Sequence, residues 1–230
     1  MKSNSAFMVA LKLFLITAVA ALCLALANMA TEGVIEANNL KAELQTKKEV
    51  LSQASEFKKL NFAESDISQA ASNGVRVEEF NIGLEKDRCV GYVVTVVSPN
   101  GYGGDVKVMV GLDAELNILK TVIVSAAETP GLGGNASKPK FIDQFKGKSG
   151  KLKVVKGEAT KDDEISAISS ATITSKAVTE SVNAATELLE NKLAAGFSPT
   201  TTVETDEKQK EIEEKTKEQM EKNPETGGAA

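Results

Sequence analysis

Apolar residues dominate the chain from Ala6 to Ala30, and between Leu13 and Ala30 only Thr17 and Asn28 are polar. With residues 6–12 included, and Lys12 able to lift its charge to a headgroup, the stretch is long enough for a helix to cross a bilayer core of about 30 Å. The pattern then changes to helical spacing. Over residues 34–60, Leu40, Leu44, Leu51 and Ala54 fall near one face with Lys and Glu on the others, which predicts a juxtamembrane helix packing on a following domain.

Residues 61–160 alternate between strand and turn signals. Residues 89–98, CVGYVVTVVS, are rich in β-branched side chains and stop at Pro99-Asn100-Gly101. Residues 105–113 and 116–125 predict two further strands around a turn at Ala114-Glu115, giving a β-meander. Residues 138–145 read as a short helix and 152–155 as another strand. The clearest helix is 174–193, where Val178, Val182, Ala185, Leu189 and Leu193 share a face away from Glu180, Glu187 and Glu190. Its Thr/Ser-rich start offers hydroxyls as N-caps. From residue 198 the chain is mostly Thr, Lys, Glu and Gln, too poor in apolar residues to offset its ordering entropy. The predicted organisation is an anchor over 1–33, the juxtamembrane helix over 34–60, an α+β domain with a small mixed sheet and helices over 61–197, and a charged, disordered tail over 198–230.

Charge orients the anchor. Lys2 and Lys12 precede the apolar run, while Glu32 and Glu36 follow it. The positive-inside rule then places residues 1–5 in the cytoplasm and the main domain outside the membrane, on a single pass. A cleaved signal peptide is the alternative, with Ala25-Leu26-Ala27 as a small-x-small site. The apolar run exceeds a usual signal core of roughly 7–15 residues, which favours a retained anchor. Both readings export the domain.

Composition narrows the chemistry. The net charge of -5, with no Lys/Arg stripe, argues against a nucleic-acid partner. The chain has no histidine, which excludes imidazole bases and His-ligated metals or haem. Its two cysteines, Cys23 in the apolar run and Cys89 in a predicted strand, form no CxxC pair. No metal site is expected, and any redox chemistry requires an organic cofactor.

Three segments could hold one. Ser169, Ser170, Ala171, Thr172, Thr174 and Ser175 open the predicted helix, where unpaired N–H groups and the dipole favour a phosphate. By residue type alone, an ordinary Ser/Thr-rich cap is the commoner explanation. Glu128, Thr129, Pro130, Gly131, Leu132, Gly133 and Gly134 follow a strand. Pro and Gly there permit a tight turn or the close approach of a flat ring. Gly101-Tyr102-Gly103-Gly104 reads as a hairpin turn.

In this order, GYGG, ETPGLG and SATITS resemble the FMN-binding domain of Rnf G subunits, a domain type shared with the C subunit of sodium-pumping NADH:quinone reductases. The resemblance spans roughly residues 1–195. It implies that a flavin transferase joins FMN by a phosphoester to the threonine of a D-x-x-[ST]-G-A-T pattern. That threonine corresponds to Thr172, with Ala171 and Ser169 conforming. Ser170 stands where Gly is usual and Ser166 where Asp is usual, while Asp162, Asp163 and Glu164 lie just upstream. At position 170 a serine requires either negative φ or a small strain cost.

The function so implied is electron transfer through covalent FMN. The chain would be one subunit of a membrane complex moving electrons between ferredoxin and NAD, coupled to ion translocation. Thr172 is then a tether, no residue acts as acid or base, and Glu128, Thr129, Gly131, Leu132, Gly133 and Tyr102 are candidates beside the ring. Two alternatives stand beside it: a stand-alone exported FMN-binding electron carrier, and a non-redox membrane-tethered binding module.

Overall fold

Five strands follow one another across a single antiparallel sheet: β1 (Glu56–Lys59), β2 (Arg76–Glu85), β3 (Arg88–Ser98), β4 (Val106–Leu112) and β5 (Ile118–Ala126). Tyr92 of β3 stands opposite Ile82 on one side and Leu112 on the other. The computed structural model describes residues 3–60, 74–86 and 88–195, so the expected tail from residue 198 lies outside the described residues. The expected meander is present, lengthened by β1 and β2. The sheet is wholly antiparallel rather than mixed, and parallel pairing is confined to β6 (Lys153–Val155) and β7 (Glu164–Ser166), where Val154 faces Ile165.

Helix α1 (Ser3–Val50) is continuous through the predicted anchor and most of the juxtamembrane segment. It stops earlier than the expected residue 60, because residues 56–59 pair with β2. Glu56-Phe57-Lys58-Lys59 carries little strand signal of its own; the hydrogen-bonding edge of β2 decides its conformation.

The chain divides into two units after Glu43. In the first, Phe7, Leu13, Phe14, Ile16 and Leu24 are all exposed, so α1 is apolar around its circumference, as a lipid-facing helix is. Among the described residues this is the one helix long and apolar enough to cross a membrane.

The second unit begins at Leu44. One sheet face packs Val94, Val96, Val108 and Val110 against Val178, Val182, Ala185 and Leu189 of α3 (Thr172–Ala194). The other face places Val93 and Met109 under Val50, Leu51 and Ala54. Burial on both faces explains why β3 reads as an unbroken apolar run. The α1 terminus comes very close to the sheet. A Cβ at Gly83 would overlap the Leu51 side chain, and one at Gly111 would overlap the Val50 carbonyl. Beside them Lys47 is fully buried, its Nζ 3.1 Å from Glu79 Oε1 and 3.5 Å from Asn81 Oδ1. Lys59 reaches the same carboxylate oxygen at 3.7 Å.

Short elements complete the domain on the α3 side. A 3-10 turn (Gly133–Ser137), α2 (Pro139–Ile142) and a second 3-10 turn (Asp143–Phe145) supply Ala136, Phe141 and Phe145 to the core. Asn183 of α3 holds residue 152, just ahead of β6, by accepting the Leu152 N–H at 2.9 Å and donating to its carbonyl at 2.8 Å.

Candidate functional site

The three motif segments converge at the N-terminal end of α3. Asn100, in the turn after β3, donates to Glu180 Oε2 of α3 at 3.0 Å. Two residues on, the Tyr102 N–H donates to Glu128 Oε1 at 2.8 Å, and Gly103 N–H reaches the same oxygen at 3.4 Å. Glu128 also faces Gly133: a Cβ there would overlap Glu128 Oε2 and stand 2.7 Å from Thr174 Oγ1. Gly133 is therefore the point where the loop after β5 meets α3. Within that loop, Thr129 O accepts the N–H groups of Leu132 and Gly134, both at 3.1 Å. Gly131 at φ +83° closes the turn, and Asn135 donates to its carbonyl at 2.6 Å.

The start of α3 differs from expectation. The helix begins at Thr172, two residues early, with Ala171 at the N-cap position and no side chain capping it. Ser175, the hydroxyl nearest to a capping role, is fully buried and points the other way. Its Oγ accepts the Ile168 N–H and donates to Ala171 O, both at 2.9 Å. This staple folds residues 168–171 beneath the helix end, and the first-turn N–H groups of Thr172, Ile173 and Thr174 are left without helical acceptors. The staple also drives Ser170 to φ +64°, so the position where glycine is usual keeps the left-handed backbone that favours glycine. Ser169 and Ser170 are exposed, Thr172 is half-buried, and Thr174 is buried with Oγ1 lacking a hydrogen-bond partner.

Thr172 opens onto a cleft of about 1030 Å³. Ser169 and Ser170 line it on the helix side, Gly131 and Leu132 on the loop side. The remaining candidates are not in its wall. Ala171, Thr174 and Ser175 lie buried behind it, Glu128 and Gly133 brace the loop, Thr129 anchors the loop turn, and Tyr102 is exposed on the neighbouring turn. The structure also brings in residues that sequence reasoning missed: Asn135, Lys138, Lys140, Phe141, Gln144 and Lys156. Lys138-Pro139-Lys140 is visible as a cation pair in the sequence, but surface lysines are too common to single it out.

Ser166, where the related pattern has Asp, also lines the cleft. Its Oγ accepts the Ala159 N–H at 2.7 Å, and its own N–H donates to Gln144 Oε1 at 2.8 Å. A short hydroxyl thus holds the adjoining loop. The upstream acids do not replace the missing carboxylate. Glu164 accepts from Thr160 N and Oγ1 at 3.0 and 3.1 Å, and Asp163 pairs with Lys153 at 2.9 Å. The Thr160 N–H holds the Glu164 carboxyl below its usual range, and the hydrogen bond from Lys153 does the same for Asp163. Burial pushes Tyr92 up to about 12, so this sheet residue, stacked on Phe80, stays neutral.

The wall residues fit a flavin nucleotide. The volume lies at the top of the range of about 300–1000 Å³ usual for cofactor clefts. Asn135 Oδ1 is a buried acceptor without a partner, and Lys138, Lys140, Lys156 and Glu158 are the charged residues among the described lining.

The profile of the FMN-binding domain family matches residues 101–187, which contain all three motif segments. The G subunit of the Na⁺-translocating ferredoxin:NAD⁺ oxidoreductase complex of Acetobacterium woodii is 41% identical over 195 residues, covering 80% of this chain and 92% of that one. The G subunit of the ion-translocating oxidoreductase complex of Methanosarcina acetivorans is 30% identical over 175 residues, 75% and 88% of the two chains. The chain belongs to this family, the G subunits of ion-translocating oxidoreductase complexes. Among solved structures, the C subunit of the Na⁺-translocating NADH-quinone reductase of Parabacteroides distasonis aligns over 64% of this chain and 83% of that one, at 23% identity and a TM-score of 0.45.

Proposed function

We propose that this chain is the flavin-carrying subunit of an ion-translocating ferredoxin:NAD⁺ oxidoreductase, with FMN held by a phosphoester on Thr172. The observation that carries this reading is the uncapped start of α3, where Thr172 is the first helical residue and opens onto a flavin-sized cleft. A phosphate on Thr172 Oγ1 lies within reach of first-turn N–H groups and the positive end of the helix dipole. When bound, FMN supplies electron transfer. The protein holds the group in place, and Gly131 and Leu132 of the loop are candidates to lie beside the ring. Attachment falls to a separate flavin transferase, as the resemblance to Rnf G subunits implies. The other membrane subunits of the complex are the electron-transfer partners. Lys2 and Lys12 against Glu32 and Glu36 set the N-terminus in the cytoplasm and the domain outside the membrane. In this scheme residues 1–33 anchor, 61–197 carry the flavin and 198–230 are a dispensable tail.

The test is the intact mass of the full chain expressed with a flavin transferase. The wild type is expected to carry one FMN increment, mapped by peptide analysis to Thr172. Thr172→Val, which keeps the shape and removes the hydroxyl, is expected to fold and carry none. An adduct on Ser170 or Thr174 would shift the assignment, and an unmodified wild type would end it.

A further inference from the structure

We infer that Lys138, Lys140 and Lys156 form an anion-binding wall of the cleft that recognises the phosphate of the flavin nucleotide. The inference deepens the proposal above and rests on it. Lys138 and Lys140 flank the start of α2, and Lys156 follows β6, so two separate elements bring the three cations to the cleft that Thr172 opens onto. Among the described residues, no carboxylate forms an ion pair with any of the three. By contrast Lys153, three residues before Lys156, is shared between Asp163 and Glu164. Among the described residues the only acid in the wall is Glu158, so these lining residues carry an excess of two positive charges on a chain of net charge -5. That local reversal of sign attracts an anion, and in the oxidised nucleotide, whose ring is neutral, the phosphate is the anion on offer. Asn135 Oδ1, a buried acceptor lacking a donor, supplies a hydrogen-bond site for the polar remainder of the nucleotide. All three lysines are exposed, so their attraction is screened beyond a Debye length of about 8 Å at physiological salt.

The experiment uses the full chain in detergent with Thr172→Val, which blocks attachment, and compares the affinities of FMN and riboflavin. These ligands share the ring and differ by the phosphate. The Thr172→Val chain is expected to prefer FMN by about tenfold, as charge-assisted bonds to a phosphate provide, and the preference should shrink with added salt. Adding Lys138→Gln, Lys140→Gln and Lys156→Gln should bring the ratio to about one while leaving riboflavin binding unchanged. The three Lys→Arg changes should restore the preference, which a general loss of folding would not allow. A Gln triple that keeps its parent's preference for FMN, or a parent without any preference, overturns the inference. Intact mass of the Thr172-bearing chain, run in parallel, separates the two ideas. An adduct without FMN preference removes the lysine wall and leaves the tether; FMN preference without an adduct does the reverse.

Discussion

Gly133 and Thr174 are in contact across the junction of the β5 loop and α3: a Cβ on residue 133 would lie 2.7 Å from the Thr174 hydroxyl and would overlap the Glu128 carboxylate as well. Gly133→Ala is therefore expected to push the loop away from the helix end that carries Thr172. Overpacking of this kind costs about 1–3 kcal/mol. Denaturant unfolding should show that loss, together with a lower fraction of flavin-loaded chain. Unchanged stability and full loading would show that the contact relaxes without consequence.

Ser170 stands at φ +64°, a conformation that costs a non-glycine residue about 1–2 kcal/mol. Ser170→Gly removes that cost but adds freedom to the unfolded chain, worth about 0.4–1 kcal/mol. The expected result is a stability equal to or up to about 1.6 kcal/mol above wild type, whereas Ser170→Val, β-branched and disfavoured at positive φ, should fall below wild type. Thermal melts of the two variants check the order. A Val variant as stable as the Gly variant would mean that residue 170 does not hold this backbone in solution.

The buried Lys47–Glu79 pair joins the last turns of α1 to the sheet. Glu79→Gln removes the carboxylate 3.1 Å from the fully buried Lys47 ammonium, and breaking a buried pair of this kind costs about 3–5 kcal/mol. Lys47→Met combined with Glu79→Gln should recover most of that loss, because the two opposite charges are then removed together. A double-mutant cycle by denaturant unfolding measures the coupling. Additive losses would deny the pairing.

Glu164 has its carboxyl pKa lowered, first by the Thr160 N–H. A folded-state pKa below the unfolded one contributes stability above the unfolded value, and that contribution disappears as pH falls through the folded value. The melting temperature of wild type should thus exceed that of Glu164→Gln at neutral pH, and the gap should close below a pH of about 4. A gap independent of pH would assign the effect to geometry rather than to ionisation.

The legible parts of this chain are those whose signal is local. A helix apolar on every side, two strands buried on both faces, and a helix with Val178, Val182, Ala185 and Leu189 on one face all announce themselves by composition or period. Thr172 is singled out only by the order of three motifs, since its hydroxyl alone is indistinguishable from its neighbours, and its role stays a proposal. The burial of Thr179, Ser181 and Thr186 was not legible. Each hydroxyl donates to a carbonyl three or four residues back in α3, so polar residues sit in the interior without breaking the helical pattern.

Only tertiary structure decided the rest. Residues 56–59 are a strand because β2 offers an edge, and no property of Glu-Phe-Lys-Lys requires it. The helix start moved from residue 174 to Thr172, and Ser170 entered the left-handed region, because Ser175 draws the preceding loop beneath α3. Lys138, Lys140 and Lys156 became walls of one cleft because α2 and the loop after β6 pack beside the same helix end. Periods and local turn chemistry are set by residues a few positions apart. Which distant side chains share a field depends on how the elements close around the core, and that is written in no single segment.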